Sequence, residues 1–294
     1  MTMRTRPAGF TLIELIIAIV VSSVVLGAAY RMLTGNQRFY RAQSQIVEVQ
    51  QNIRAVAQML PSELRELAAG GGDIVAMSDT GITVRAMRGF GVTCAPTDPG
   101  SGYVTLRTSL LYVYRSIDPT RDNVFVFRDG DTELAGDDQW LQAAVGAVST
   151  SGTNCSDGAA GTRLTLTGMV LGLALLGPGA APDVGVTEGS PVRIWELVRY
   201  GLWEDAGGQW WLATSSQVSG SWASTTPVAG PLRAADGVKF DYYDAAGAVT
   251  ATPANVAQIG ITVRGWSDQP IMVEGRPTGR YQDSMTVRVA LRNN

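Results

Sequence analysis

The sequence predicts an α+β fold, in which one long N-terminal helix, apolar at its start, packs on an antiparallel β-sheet domain. Three observations carry this. Between Phe10 and Ala29 the sole charged residue is Glu14, and about twenty apolar residues make a helix of roughly 30 Å, the hydrocarbon thickness of a bilayer. From 37 to 59 apolar residues recur at helical spacing with no Gly or Pro between them. Beyond Asp73 the period changes to two, as in strands with one buried face.

Arg4 and Arg6 precede the apolar run with no acidic residue among them, and Tyr30 and Arg31 follow it. That asymmetry keeps the leader on the cytoplasmic side and sends the C-terminal part across. A lone carboxylate inside such a run costs about 2.5–3.5 kcal/mol on insertion scales, so Glu14 calls for a partner. A cleaved secretory signal would place its small residues after the run. Here Ala8 and Gly9 stand before it. A cut after Gly9 keeps the whole helix on the mature chain and frees an ammonium at Phe10. That ammonium lies four positions from Glu14, one helical turn away, so the two charges can pair within a chain or between neighbours.

The stretch Gly9-Phe10-Thr11-Leu12-Ile13-Glu14-Leu15 resembles the class III signal of type IV prepilins and of type II secretion pseudopilins. In that family a membrane peptidase cuts after the Gly and methylates the new N-terminal Phe, while the Glu pairs with a neighbouring subunit's N-terminus. The resemblance therefore assigns cleavage to Gly9 and Phe10, N-methylation to Phe10 and filament assembly to Glu14. It implies a pilin-like fold, no catalysis, and no cofactor or metal. The implied partners are prepilin peptidase, other major and minor pilin subunits met through the N-terminal helix, and an inner-membrane assembly platform. The chain would be a single-pass inner-membrane protein with an exported domain that later enters a pilus or pseudopilus.

On this reading residues 1–9 are the leader and 10–69 the helix, with 10–29 in the membrane and a kink or break near Pro61. Gly35-Asn36 is a weak point at which a bend or local unwinding is expected. Proline ends the hydrogen-bond ladder, so residues 62–69 read as a short second helix that stops at Gly70-Gly71-Gly72. No Lys-Ser/Thr follows those glycines, which makes them a hinge rather than a phosphate loop. On the helix, Ile46, Val49, Ile53, Val56 and Leu60 form one stripe that needs a sheet to cover it.

Residues 70–189 read as a β-rich exported region with loops. Strands are expected at 74–77 and 82–87, joined by the turn Ser78-Asp79-Thr80-Gly81, then at 103–115, 124–128 and 163–167. The turn Asp129-Gly130-Asp131 lacks the rest of a calcium loop. Residues 169–176 make an apolar patch too short to span a bilayer, suited to a buried edge or a covered surface. From 190 to 294 the chain reads as an antiparallel sheet, with strands at 192–203, 210–214, 237–243, 258–266 and 281–291. In the last, Met285, Val287, Val289 and Leu291 share one face. Val198-Arg199-Tyr200-Gly201-Leu202, the run from Gly237 to Asp244, and Val289-Ala290-Leu291-Arg292-Asn293 resemble the PilW group of minor pilins and the related J-type pseudopilins. Residues 73–189 carry no such likeness.

The 294 residues contain no histidine, which removes the usual general base, the Ser-His and Cys-His dyads and the commonest zinc ligand. A Ser-Lys dyad would need Lys239, the sole lysine, which lies in a strand near no signalled serine. The formal charge is −3, and −5 once Arg4 and Arg6 leave with the leader, so nucleic acid is not an expected partner. Cys94 and Cys155 are the two cysteines, both in the exported part among loop residues; an even count in an oxidising compartment predicts a disulfide. Trp195, Trp203, Trp210, Trp211, Trp222 and Trp266 cluster late in the chain, where they serve sheet packing or bind a glycan or another subunit. Three functions follow from the resemblance: a minor pilin that primes or caps a filament, a secretion pseudopilin, or a pilus-tip binding module specified by 73–189.

Overall fold

A computed structural model describes residues 11–97, 102–129, 138–168, 186–271 and 279–292. The fold is α+β: one long helix, α1 (Leu12–Leu64), packs on a large antiparallel sheet. The strands in chain order are β1 (Ile74–Met77), β2 (Gly81–Val92), β3 (Tyr103–Arg107), β4 (Tyr112–Val113), β5 (Asp122–Arg128), β6 (Gln139–Ser149), β7 (Gly161–Thr167), β8 (Pro191–Glu204), β9 (Trp210–Val218), β10 (Ser221–Trp222), β11 (Thr226–Leu232), β12 (Val238–Tyr243), β13 (Gln258–Trp266) and β14 (Gln282–Ala290). Two compact units divide the chain: residues 1–51 with 266–283, and residues 52–265 with 284–294.

The helix corrects two expectations. It passes Gly35-Asn36 without interruption, and it continues through Pro61 to Leu64, so residues 62–69 form no second helix and the helix stops short of 69. Pro61 removes one backbone donor but stands in the last turn, where little ladder remains to be broken. The Arg65 N–H still reaches the Pro61 carbonyl at 3.0 Å, and Ser62 Oγ donates to the Met59 carbonyl at 2.7 Å. Past Leu64 the chain turns through Gly70-Gly71-Gly72, with Gly72 at φ +78°. Asp73 then fixes the exit: its Oδ2 accepts from the Ala68 N–H and from Arg193 Nη2, both at 2.9 Å.

In the first unit, the chain from Trp266 to Asp283 doubles back on itself. Ser267 N–H donates to the Tyr281 carbonyl at 2.9 Å, Ile271 bridges Gly279, and the Arg280 guanidinium lies 4.6 Å from the Trp266 ring centre.

The second unit is organised on β8. One edge of β8 pairs with β2 along nearly its whole length, from Gly81 opposite Gly201 to Val92 opposite Pro191. Its other edge is shared. β5 takes the first part, Asp122 to Val126 opposite Glu196 to Val192, and β9 takes the rest, Trp210 to Ser216 opposite Glu204 to Val198. The sheet therefore branches at Glu196.

On one branch, β5, β6, β7 and β3 follow β8 in order. The end of β2 then meets β3 through the Thr93–Leu106 bridge and a 2.9 Å bond from the Cys94 N–H to the Thr105 carbonyl. That contact closes six strands, β2-β8-β5-β6-β7-β3, into a small barrel. Alternate residues fill it, among them Leu106, Val126, Leu141, Leu164 and Ile194. Gly91 of β2 faces the same core, where an added Cβ would meet Leu106 Cδ1 at 3.0 Å. Residues 73–189, which carry no family likeness, thus build most of a closed β-structure.

On the other branch, β9, β11, β13 and β12 follow β8, with β14 on β13. Phe240 N–H donates to the Asp79 carbonyl at 2.7 Å, so β12 curls round to the β1–β2 turn. Ile53, Val56, Leu60 and Leu64 of α1 are buried here, as are Val84, Val198, Phe240, Ile259, Ile261 and Val263. Asn52 Nδ2 bonds the Gly230 carbonyl at 2.6 Å, and the Arg292 N–H bonds the Arg65 carbonyl at 2.9 Å. The part of the stripe from Ile53 onward is thus buried together with the sheet faces that needed a cover.

Most expected strands are present. The single strand expected over 103–115 is broken instead: β3 ends at Arg107, residues Thr108–Leu110 make a 3-10 turn, and β4 pairs with β2 at Gly89 and Phe90. The turn is pinned by the Thr108 N–H on the Ala160 carbonyl at 3.1 Å and by the Thr108 and Thr162 hydroxyls 2.9 Å apart. β6, β10 and β11 were not expected from the sequence. The 169–176 patch and most of the turn at Asp129-Gly130-Asp131 lie outside the described residues.

Candidate functional site

Gly9 and Phe10, the expected cleavage and methylation residues, lie outside the described residues; the site is described from Thr11 onward. Thr11 is the residue before the helix. Its carbonyl accepts the Leu15 N–H at 3.2 Å, and its hydroxyl accepts the Glu14 N–H at 3.3 Å. Glu14 answers: its Oε2 accepts the Thr11 N–H at 2.9 Å and the Thr11 hydroxyl at 3.0 Å. This is a capping box, in which residues Ncap and N3 satisfy one another's backbone donors. The pattern Thr11-Leu12-Ile13-Glu14 carries the signature of such a box in the sequence itself, so Glu14 has a capping role beside the charge role expected of it.

Every residue from Thr11 to Leu33 is exposed, so the apolar helix is uncovered on all sides. An apolar helix of this kind is covered by lipid or by other helices. Its polar side chains are satisfied on their own backbone: Ser23 Oγ donates to the Val20 carbonyl at 2.8 Å, and Thr34 Oγ1 to the Tyr30 carbonyl at 3.0 Å. α1 is long and apolar enough to cross a membrane.

In the β-domain the structure joins Cys94 to Cys155 in a disulfide across 61 positions. Around it the Ser156 N–H bonds the Cys94 carbonyl at 3.0 Å, and the Cys155 N–H bonds the Ala159 carbonyl at 2.8 Å. The bond therefore lies on the seam where β2 meets β3, ahead of β7. Trp195 is buried against Phe125 with ring centres 5.4 Å apart, and the Arg85 guanidinium lies 5.2 Å from the Trp195 centre. Trp222 is exposed under Arg199, and Trp211 Nε1 donates to Asp205 at 2.9 Å. Trp195 and Trp222 thus stand apart from one another, while Trp203 of β8 and Trp211 of β9 are cross-strand partners with Trp210 beside them. Lys239 is held by Asp241 at 2.8 Å, which raises its pKa.

Sequence reasoning missed a cluster of charges at the foot of α1. Glu196 of β8 is buried and bridges two arginines, Arg88 Nε at 2.5 Å and Arg115 Nη2 at 3.0 Å. Glu63 takes Arg88 Nη1 at 3.1 Å, and Asp122 takes Arg115 Nη2 at 2.7 Å. Burial opposes the charge of Arg88, but the Glu196 bond and the Glu63 charge outweigh it and raise its pKa. Burial and the Glu63 charge likewise push the Tyr200 phenol up. No local signal announces such a cluster, because its members come from 63, 88, 115, 122 and 196.

These features define a chain with an uncovered apolar helix, a carboxylate at its head and, later in the sequence, a disulfide-bearing β-domain. Residues 4–30 match the family model of the prokaryotic N-terminal methylation motif. That motif is the signal that pilin- and pseudopilin-like proteins carry; it implies processing by prepilin peptidase and assembly with other pilins in general, and with the apolar helix it is consistent with a membrane anchor. No curated protein and no solved structure matches the chain.

Proposed function

We propose that the chain is a minor pilin, a structural subunit that is inserted into, primes or caps a type IV pilus. The observation that carries this is the helix: apolar and uncovered from Thr11 to Leu33, headed by Glu14, and with buried residues only from Ala42 onward. Such a helix is held by lipid before assembly and by neighbouring helices afterwards. Prepilin peptidase cuts between Gly9 and Phe10 and methylates the Phe10 amine. Gly suits the cut because a side chain there would obstruct access to the backbone. The freed Phe10 ammonium of one subunit then pairs with Glu14 of its neighbour. The likeness of the late strands to the PilW group favours a pilus; the same helix would serve a pseudopilin of type II secretion, and the neighbouring genes distinguish the two.

The test is mass spectrometry of the mature N-terminus, with the amount of processed chain in sheared filaments set against that left in membranes. A methylated Phe10 and a filament-borne fraction are expected. An intact Met1 or a cut beyond Ala29 would overturn the reading.

A further inference from the structure

We propose that the exported domain carries a docking face for a different prepilin-type subunit, made by Tyr112 and Tyr114 beside the charged pocket at the foot of α1. We further infer that the occupant presents an arginine or lysine from an apolar surround. The inference rests on the reading of the chain as a filament subunit and adds to it the surface and the chemistry of the contact.

Leu110, Tyr112, Val113 and Tyr114 are 41, 67, 39 and 72 % exposed. Four large apolar side chains within five residues are exposed where the 3-10 turn at Thr108–Leu110 ends β3 and the chain crosses to pair with β2 as β4. Only Leu111 of this run, with Ile117 beyond it, packs against the barrel core. Monomeric surfaces rarely gather large apolar groups in this way, and tyrosine is among the residues most enriched at interface centres. Tyr114 also borders a pocket of about 530 Å³, whose other walls include Glu63, Met87, Arg88, Arg115 and Glu196.

Charge selects the occupant. The cluster behind the pocket sets three carboxylates, Glu63, Asp122 and Glu196, against two guanidiniums, Arg88 and Arg115. It holds one negative charge in excess. Glu63 stands in the last turn of α1, whose carbonyl end adds a partial negative charge, with Arg65 the next residue beyond the helix. A cation entering between Tyr114 and Glu63 gains both, and the tyrosine faces hold its aliphatic stem. The whole chain is acidic at −3, which disfavours a second copy and favours a partner with a basic patch.

A photoreactive phenylalanine analogue in place of Tyr112 or Tyr114 of the full chain, in cells that make the whole machinery, tests this. Val249, 79 % exposed in another part of the domain, is the control position. Adducts with another prepilin-type protein are expected from 112 and 114 and not from 249, with the attached peptide containing Arg or Lys. The double variant Tyr112→Ser, Tyr114→Ser removes only exposed groups. It should lower the filament-borne fraction about tenfold or more, as loss of an interface anchor does, while the mature N-terminus stays at Phe10. The docking face is overturned by adducts no stronger than at Val249, by adducts only with a second copy, or by a double variant that assembles as wild type. An uncut N-terminus, by contrast, overturns the filament reading itself and the docking face with it.

Discussion

Thr11 and Glu14 close a reciprocal pair at the head of α1: the Thr11 N–H donates to Glu14 Oε2 at 2.9 Å, and the Glu14 N–H donates to Thr11 Oγ1 at 3.3 Å. The acid in the apolar run thus has a partner on its own chain, before any cut is made. This does not compete with an intersubunit role. Both bonds that Thr11 donates end on Oε2, and an ionised carboxylate offers about four acceptor positions. Oε1 is the oxygen that a neighbour's Phe10 ammonium would take.

The two roles can be separated by substitution. Glu14→Gln keeps an acceptor at N3, so the cap survives while the charge is lost. Thr11→Val keeps the charge and removes the cap, at about 1 kcal/mol of helix stability. We expect membrane insertion and processing with both. The processed chain should reach sheared filaments with Thr11→Val near the wild-type amount, and with Glu14→Gln at a small fraction of it. Glu14→Ala, which loses both roles, should assemble no better than Glu14→Gln. Equal defects in Thr11→Val and Glu14→Gln would show that the cap, and not the charge, governs assembly.

The disulfide gives a second prediction. Cys94 and Cys155 sit on the seam of the barrel, and cross-linking a loop of this length contributes about 4 kcal/mol in the chain-entropy model. The double variant Cys94→Ser, Cys155→Ser should therefore open the barrel branch before the branch that covers α1. Limited proteolysis reads this: first cuts are expected between residues 94 and 160 in the variant, and the oxidised protein should resist under the same conditions. A variant as resistant as wild type would mean that the β2–β3 bridge holds the seam unaided.

How much of this was legible depended on whether the signal was local. The stripe Val49, Ile53, Val56, Leu60 and the alternation of Ile259, Ile261 and Val263 are local, and all are buried as expected. β13 falls on the residues read for it. β6 did not announce itself because Ala143, Ala144, Gly146 and Ala147 lack the branched side chains that mark strands. β11 holds Pro227 and Pro231, which argue against a strand; it survives because its register shifts between Pro227 and Ala229 and again before Leu232. The closing of the barrel was invisible, since it depends on a bridge between Thr93 and Leu106 that no periodicity encodes. Tyr112 falls in β4 as a strand residue should; what periodicity hides is its exposure and that of Tyr114, because the 3-10 turn that ends β3 is held by Ala160 and Thr162, some fifty positions away.

The last prediction concerns Glu196. It is the last residue of β8 that pairs with β5, opposite Asp122, and on the other edge it stands opposite Ala86 of β2. Two positions on, at Val198, β9 takes over from β5. Glu196 therefore sits at the branch point, and its two oxygens hold Arg88 and Arg115 from elements on either side. Glu196→Ala leaves two partly buried guanidiniums short of a counter-charge, a loss of about 3–5 kcal/mol where a buried pair is broken. For a domain of this size that lowers the melting temperature by roughly 6–20 °C. Glu196→Gln keeps one acceptor and the side-chain volume, so its loss should be clearly smaller. If the carboxylate also makes the two branches melt together, Glu196→Ala should split one calorimetric transition into two, with the barrel branch unfolding first. A single transition at the wild-type temperature would show that backbone pairing along β8 alone joins the two branches, and that the buried charges add nothing to the fold.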